Sequence, residues 1–342
     1  GVQMLEAAME LSVRGHRVTV ASRPGGDLEA ACEDTGVGFV PLPLRGAVDP
    51  PSVRTLRRVL RLAGTEVVHV HKGRAHAAAL LAATGLGPWP QVVVNRGVTF
   101  PLDPFNRWKY RHPRVSAVVC VADAVGEVVV RTGGVRPERV TVIHAGTDPE
   151  VFDPSRVSGV AVRRSLALGR DTVVVGHVSI RDWKGWREVL GAFARAALDR
   201  PRLHLLMVAC EPADDRLRVE SAVDGLGLGG RVHLLGERRD MPQVLAACDL
   251  VVDGSWAGTG ITGTVREAMA LERAVVATDC GGNRELVIPD TGVLVPPRDV
   301  EAMADAIARL ADDELLRVRL GRAGRPRIER EFSTARRVDR LE

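Results

Sequence analysis

Lysine is nearly missing from this chain: only Lys72, Lys109 and Lys184 stand among its 47 basic residues, and the rest are arginine. Together with abundant alanine, glycine and valine, this points to a GC-rich coding sequence more than to a binding surface. The formal net charge of +4 is too dilute over 342 residues to mark a nucleic-acid binder. Aromatic residues make up 4% with a single tyrosine, which weakens any base-stacking platform. No run of 18 apolar residues occurs, so no integral membrane segment is expected. The N-terminus lacks the charged, apolar, small-residue order of a signal peptide, and a cytoplasmic location follows as the expectation. Five scattered cysteines without a C-x-x-C read as small core residues rather than disulfides or zinc ligands. Also missing are the P-loop, the H-E-x-x-H zinc site and the G-x-S-x-G elbow. His69, His71 and His76 lie at a strand end and helix start, without the carboxylates that would favour a metal. No repeat of 20 to 50 residues is visible.

What is present suits two ordinary domains: 45% hydrophobic and 26% charged residues in a chain long enough for two cores. The stretch Cys248–Asp279 organises the rest. A buried-looking strand, Asp249 to Asp253, runs into a glycine loop (Gly258, Gly260, Gly263), a helix carrying Glu267, and a second apolar strand, Ala274 to Thr278. Glycines let backbone approach an anion, and a helix start presents free N–H groups and a favourable dipole, so the segment reads as a phosphate seat. Gly258-x-Gly260-x-x-Gly263 with Asp279 beyond the next strand also fits the dinucleotide fingerprint. Against that reading, at least three strands precede it in its domain, and Ser255-Trp256-Ala257 separates strand from glycines. A second such spacing, Gly225 to Gly230, follows a helical pattern and is read as a turn.

The same stretch, with REAMA around Glu267 and AVVATDCGGNRELV from Ala274 to Val287, resembles the donor site of the retaining family-4 glycosyltransferases. VIHAGTDPEVFDP, beginning at Val142, resembles that family's interdomain link. The resemblance implies an α/β fold of GT-B type, two doubly wound Rossmann-like parallel-sheet domains facing a central cleft. It implies an acceptor-binding domain over 1–147, a nucleotide-sugar-binding domain over 148–312, and a helical tail, 313–342, crossing back to the first. In the family a first strand and glycine loop precede the opening helix, and only Gly1 of that loop is present here.

Site residues follow from the same resemblance. Arg181 and Lys184 would clamp the donor diphosphate, whose charge grows as the glycosidic bond breaks. Their spacing is three residues where the family has five or six, and with Lys184 held fixed the usual arginine position is Ser179. Glu267 would accept from the ribose hydroxyls. Gly260, Ile261, Thr262, Gly263 and Thr264 would hold the diphosphate through backbone N–H groups, and Arg238 and Gly1 complete the implied donor site. Thr259 stands where the family has a carboxylate on the transferred sugar. Arg96, in Asn95-Arg96-Gly97, stands where many members have His-Gly. Trp108 or Tyr110, in the aromatic and cationic run Phe100 to Arg114, would stack on a saccharide acceptor, or belong to an ordinary packed loop. Arg54, Arg57, Arg58 and Arg61 share one helical stripe, a solvated face or one for peripheral contact with anionic lipid.

The expected function is transfer of a sugar from a nucleotide-diphosphate sugar, UDP-sugar favoured, to a hydroxyl of a saccharide or natural-product acceptor. No cofactor and no metal is expected, since no D-x-D occurs and GT-B enzymes typically hold the diphosphate with cations and helix dipoles. The composition suggests an antibiotic-type oligosaccharide by association. A donor-binding scaffold of the same fold, a nucleotide-sugar epimerase and a nicotinamide enzyme remain as alternatives.

Overall fold

The computed structural model describes residues 2–46, 49–87, 90–208 and 213–342. They divide into two compact units, Gly1–Gly146 with Thr334–Glu342, and Thr147–Ser333. Gly1 and Cys210 lie outside the described residues.

The first unit runs α1 (Val2–Val13), β1 (Thr19–Ser22), α2 (Asp27–Thr35), β2 (Gly38–Pro41), α3 (Pro50–Leu62), β3 (Val67–Val70), α4 (Gly73–Ala83), β4 (Gln91–Arg96), α5 (Pro104–Arg111), β5 (Val115–Cys120), α6 (Asp123–Gly133) and β6 (Val140–Val142). Valine-rich β4 and β5 alternate little between polar and apolar, as strands covered on both faces do. The single doubly wound sheet expected here is, among the described residues, two parallel sheets: β1-β2 and β3-β4-β5-β6. The small pair has its own core, in which Ala8 of α1, Val20, Cys32 and Val37 are buried together.

The second unit runs α7 (Val160–Ser165), β7 (Val173–Val178), α8 (Trp186–Ala196), β8 (Leu203–Val208), α9 (Ala213–Gly225), β9 (Val232–Leu235), α10 (Met241–Ala246), β10 (Leu250–Asp253), α11 (Gly263–Ala270), β11 (Ala274–Thr278), α12 (Asn283–Leu286), β12 (Val293–Val295), α13 (Val300–Asp312) and α14 (Glu314–Glu331). Its sheet is parallel throughout, in the order β12-β11-β10-β7-β8-β9. Every residue of β10 and β11 is buried. Strand order reverses between β7 and β10, and the carboxyl ends of strands at such a point are where doubly wound sheets bind ligands.

The tail departs from expectation. α14 lies against the end of α11, and an added Cβ on Gly321 would sit 2.1 Å from the Glu272 carbonyl oxygen. Only α15 (Thr334–Leu341) belongs to the first unit, so the returning segment begins at Thr334 instead of residue 313. There Arg337 donates to the Gln3 carbonyl at 2.9 Å, and Arg14 of the first unit pairs with Asp339 at 2.7 Å. No helix among the described residues is long and apolar enough to cross a membrane.

Candidate active site

At the switch point the chain builds a buried polar hub on Asp253, the last residue of β10. Its carboxylate accepts from the Ser255 hydroxyl at 2.7 Å, the Thr262 hydroxyl at 3.1 Å and the Asn283 amide at 2.9 Å. Asn283 also donates to the Thr278 carbonyl at 3.1 Å, and its Oδ1 accepts from the Thr262 N–H at 3.3 Å. The Thr278 hydroxyl donates to the Ser255 carbonyl. The glycine loop is thereby sewn to the turn after β11. Gly282 N–H donates to the Gly260 carbonyl at 2.7 Å, and Gly281, at φ +59°, comes so close that a Cβ would lie 1.9 Å from the Thr259 oxygen.

Lys184 reaches this hub from the turn after β7. Its Nζ is 3.8 Å from Asp253 Oδ1 and 4.9 Å from the centre of the Trp183 ring. Gly185 sets that approach: its φ is +71°, and a Cβ there would stand 1.9 Å from the Gly254 oxygen. Trp256 locks the two loops together, its backbone N–H donating to Trp183 O at 3.0 Å and its indole to Asp182 O at 2.8 Å. Ser179, at the position of the family's arginine, sits at φ +81°, a left-handed conformation uncommon for serine and a store of local strain. Arg181 is exposed at the start of this turn.

The opening of α11 carries no side-chain cap, because the Thr262 hydroxyl is turned to Asp253. Gly263 and Thr264 are half-buried, whereas Gly260, Ile261 and Thr262 are buried. Of the N–H groups expected to form an anion seat over 260–264, that of Thr262 is already held by Asn283. Glu267 lies one turn in, half-buried, with Oε1 3.5 Å from where a Gly263 Cβ would be. Thr259 is buried and its hydroxyl turns back to the Ala257 carbonyl at 3.4 Å. Arg238 forms a two-pronged pair with Asp240, at 2.7 and 2.6 Å, in the loop after β9.

In the first unit, Arg96 ends β4 and donates to the Tyr110 hydroxyl at 3.3 Å and to the Phe100 carbonyl. The packed loop allowed for Phe100 to Arg114 contains a helix, α5, in which Asp103 caps the Asn106 N–H at 3.0 Å. Tyr110 is buried, edge-on to His76 with ring centres 5.0 Å apart, so it offers no face for a saccharide. Trp108, two residues earlier and on the opposite helix face, is 51% exposed. Of the basic stripe on α3, Arg57 is bound to the Ala82 and Thr84 carbonyls, while Arg54, Arg58 and Arg61 are exposed.

The sequence reading missed Asp253, Asn283 and Thr278 as site builders. Asp253 at the carboxyl end of a buried strand was a usable signal; Asn283 lies 30 residues away, and nothing local announces its role.

An uncapped helix start, a held lysine and a carboxylate one turn in stand at the switch point of one of two Rossmann-like units, the arrangement of a GT-B-type fold. Residues 1–151 match the model of Glycosyltransferase Family 4 and residues 169–313 that of Glycosyl transferases group 1. The chain belongs to these glycosyltransferases. The UDP-Gal:alpha-D-GlcNAc-diphosphoundecaprenol alpha-1,3-galactosyltransferase of Escherichia coli is 24% identical over 307 residues, 86% of this chain and 78% of that one. Alpha-D-kanosaminyltransferase of Streptomyces kanamyceticus is 26% identical over 246 residues, 70% of this chain and 63% of that one. The crystal structure of an Anabaena protein in complex with UDP superposes with a TM-score of 0.85 at 21% identity, covering 99% of this chain and 94% of that one. Among the curated relatives it matches, this chain spans from 21% to 78% of their own length.

Proposed function

We propose that the chain transfers a sugar, with retention of configuration, from a UDP-sugar to a hydroxyl of a saccharide or natural-product acceptor. The observation that carries this reading is the Asp253 hub, which holds Lys184 beside the uncapped start of α11 with Glu267 one turn along. In the proposed mechanism the diphosphate sits on the N–H groups at Gly263 and Thr264, and Lys184 and the exposed Arg181 meet the charge that builds as the glycosidic bond breaks. Glu267 accepts from the ribose diol. The leaving diphosphate oxygen takes the acceptor's proton while the acceptor oxygen attacks from the same face, so catalysis consists of positioning and charge stabilisation. No metal takes part in the proposed mechanism, and activity should survive a chelator.

The galactosyltransferase's name, with its UDP-Gal donor and GlcNAc-bearing acceptor, supports a UDP donor and a saccharide acceptor. One observation favours a second reading, a donor-binding protein with little turnover: Thr259 brings no charge, and its hydroxyl is spent on Ala257. Incubation with UDP-glucose or UDP-galactose and amino-sugar acceptors, followed by NMR of the product anomer, separates the readings. An axial linkage with UDP release supports retaining transfer. Binding without UDP release supports the second reading, and an epimerised donor without acceptor would mean neither.

A further inference from the structure

Lys184 is held in an unusual way for a mostly buried cation. Its side chain is 18% exposed, yet its ammonium makes no hydrogen bond among the described residues. Asp253 Oδ1 stands 3.8 Å away, too far for one. Both Asp253 oxygens are also engaged elsewhere, Oδ1 by the Ser255 hydroxyl and Oδ2 by Thr262 and Asn283. The carboxylate therefore attracts the lysine without fixing its direction. The other contact is the ring of Trp183, whose centre lies 4.9 Å from Nζ, inside the range at which an indole's quadrupole holds a cation. A ring face attracts the charge while leaving the ammonium's donors open.

The turn that carries Trp183 is fixed independently of the lysine. The Trp183 carbonyl accepts from the Trp256 N–H at 3.0 Å, and the Asp182 carbonyl from the Trp256 indole at 2.8 Å. Trp256 is itself covered by the Arg298 guanidinium, 4.0 Å from its ring centre. Arg298 sits at φ +65°, a left-handed conformation that a non-glycine residue keeps only when its surroundings require it. The Asp182 carboxylate binds Arg187 of α8 and, at 3.4 Å, Arg218 of α9. Loops after β10 and β12 and two helices thus restrain one short turn, Asp182–Lys184, far more than a solvated loop needs.

We infer that Trp183 is a positioning residue: its ring holds the Lys184 ammonium, with its donors open, in place for the diphosphate of a nucleoside-diphosphate donor. The inference rests on the transferase reading for the diphosphate, and adds which side chain makes the lysine ready. A cation already placed loses less freedom on binding than one free to turn into solvent, so affinity for the diphosphate rises. An aliphatic residue at 183 would leave Lys184 attracted to Asp253 alone, free to close that gap and spend a donor on the carboxylate.

The test is calorimetric titration with UDP, with uridine measured by competition against it, because uridine lacks the diphosphate and should not register Lys184. Wild type should bind UDP far more tightly than uridine. Trp183→Leu should weaken UDP about tenfold and leave uridine unchanged, while Trp183→Tyr, which keeps a ring face, should bind UDP within about threefold of wild type. In a Lys184→Met background, itself weaker by about thirtyfold, Trp183→Leu should have no further effect, since its role runs through the lysine. Trp183→Gln serves as a second variant if Trp183→Leu does not fold. A weakening by Trp183→Leu that persists in the Lys184→Met background, or that extends to uridine, would mark a purely structural role and overturn the inference. So would Trp183→Leu binding UDP as wild type does, or Trp183→Tyr binding it no better than Trp183→Leu. Wild type binding UDP no more tightly than uridine would strike the diphosphate seat itself, and the inference with it.

Discussion

Replacing Asp253 by alanine should separate the site's architecture from its chemistry. Asp253 is 4% exposed, and its three donors, Ser255, Thr262 and Asn283, are themselves at most 4% exposed. The alanine variant strands all three and leaves Lys184 Nζ, 3.8 Å away in the wild type, without its carboxylate. Each buried donor left unmade costs about 1–3 kcal/mol, and some relax toward one another, so the expected loss is about 4 kcal/mol. For a unit of this size that corresponds to a fall of about 10 °C in the second unit's unfolding midpoint. Asp253→Asn keeps one acceptor oxygen and the shape, and should lose about half as much. Adding Lys184→Met to the alanine variant should recover part of the loss, since the stranded cation is removed. Differential scanning calorimetry of these proteins, with the single Lys184→Met variant added, gives the cycle. An alanine variant within about 0.5 kcal/mol of wild type would refute the hub, because that is the range of an ordinary surface substitution.

Further outcomes follow from the same geometry. Burial lowers His69 to about 4, His71 to about 3 and His76 to about 4, so the unfolded first unit takes up protons first as pH falls. Stability that is full above the unfolded value near 6.5 is then lost below it, by about 1.4 kcal/mol per histidine at about pH 5.5. An unfolding midpoint for the first unit that is flat from about pH 7.5 to about pH 5.5 would contradict this. Gly281→Ala must place a Cβ on the Thr259 oxygen from a positive φ, and should cost about 3 kcal/mol or more and weaken UDP binding, whereas Gly229→Ala, with open space around it, should do neither. Trp108→Ala should leave stability within about 0.5 kcal/mol and raise the acceptor KM several-fold, read from initial rates; an unchanged KM would remove Trp108 from the acceptor site.

The parallel strands of both units were legible because valine and alanine runs with covered faces leave a plain signature, and the glycine loop before α11 announced a backbone-built seat. Pairings at a distance were less so. Asn283 joins Asp253 across 30 residues and takes the Thr262 N–H that local reading would give to a phosphate. Helix α5 carried a readable start, Asp103 followed by Pro104, that the aromatic and cationic run around it obscured. Once that helix is recognised, a two-residue separation sends Trp108 outward and Tyr110 inward. Arg96 was singled out by its place after a strand, but its partners Tyr110 and Phe100 are set by the tertiary fold.

The central claim is that α11 and the loops around Asp253 form a nucleoside-diphosphate seat. A thermal-shift panel of UDP, dTDP, GDP, ADP and NAD on wild type and Glu267→Ala tests it most directly. Stabilisation by a nucleoside diphosphate, about 2.7 kcal/mol at a hundredfold excess over its dissociation constant, and its loss in the variant, is the predicted result. A response to NAD alone, or an undiminished response in Glu267→Ala, would contradict it.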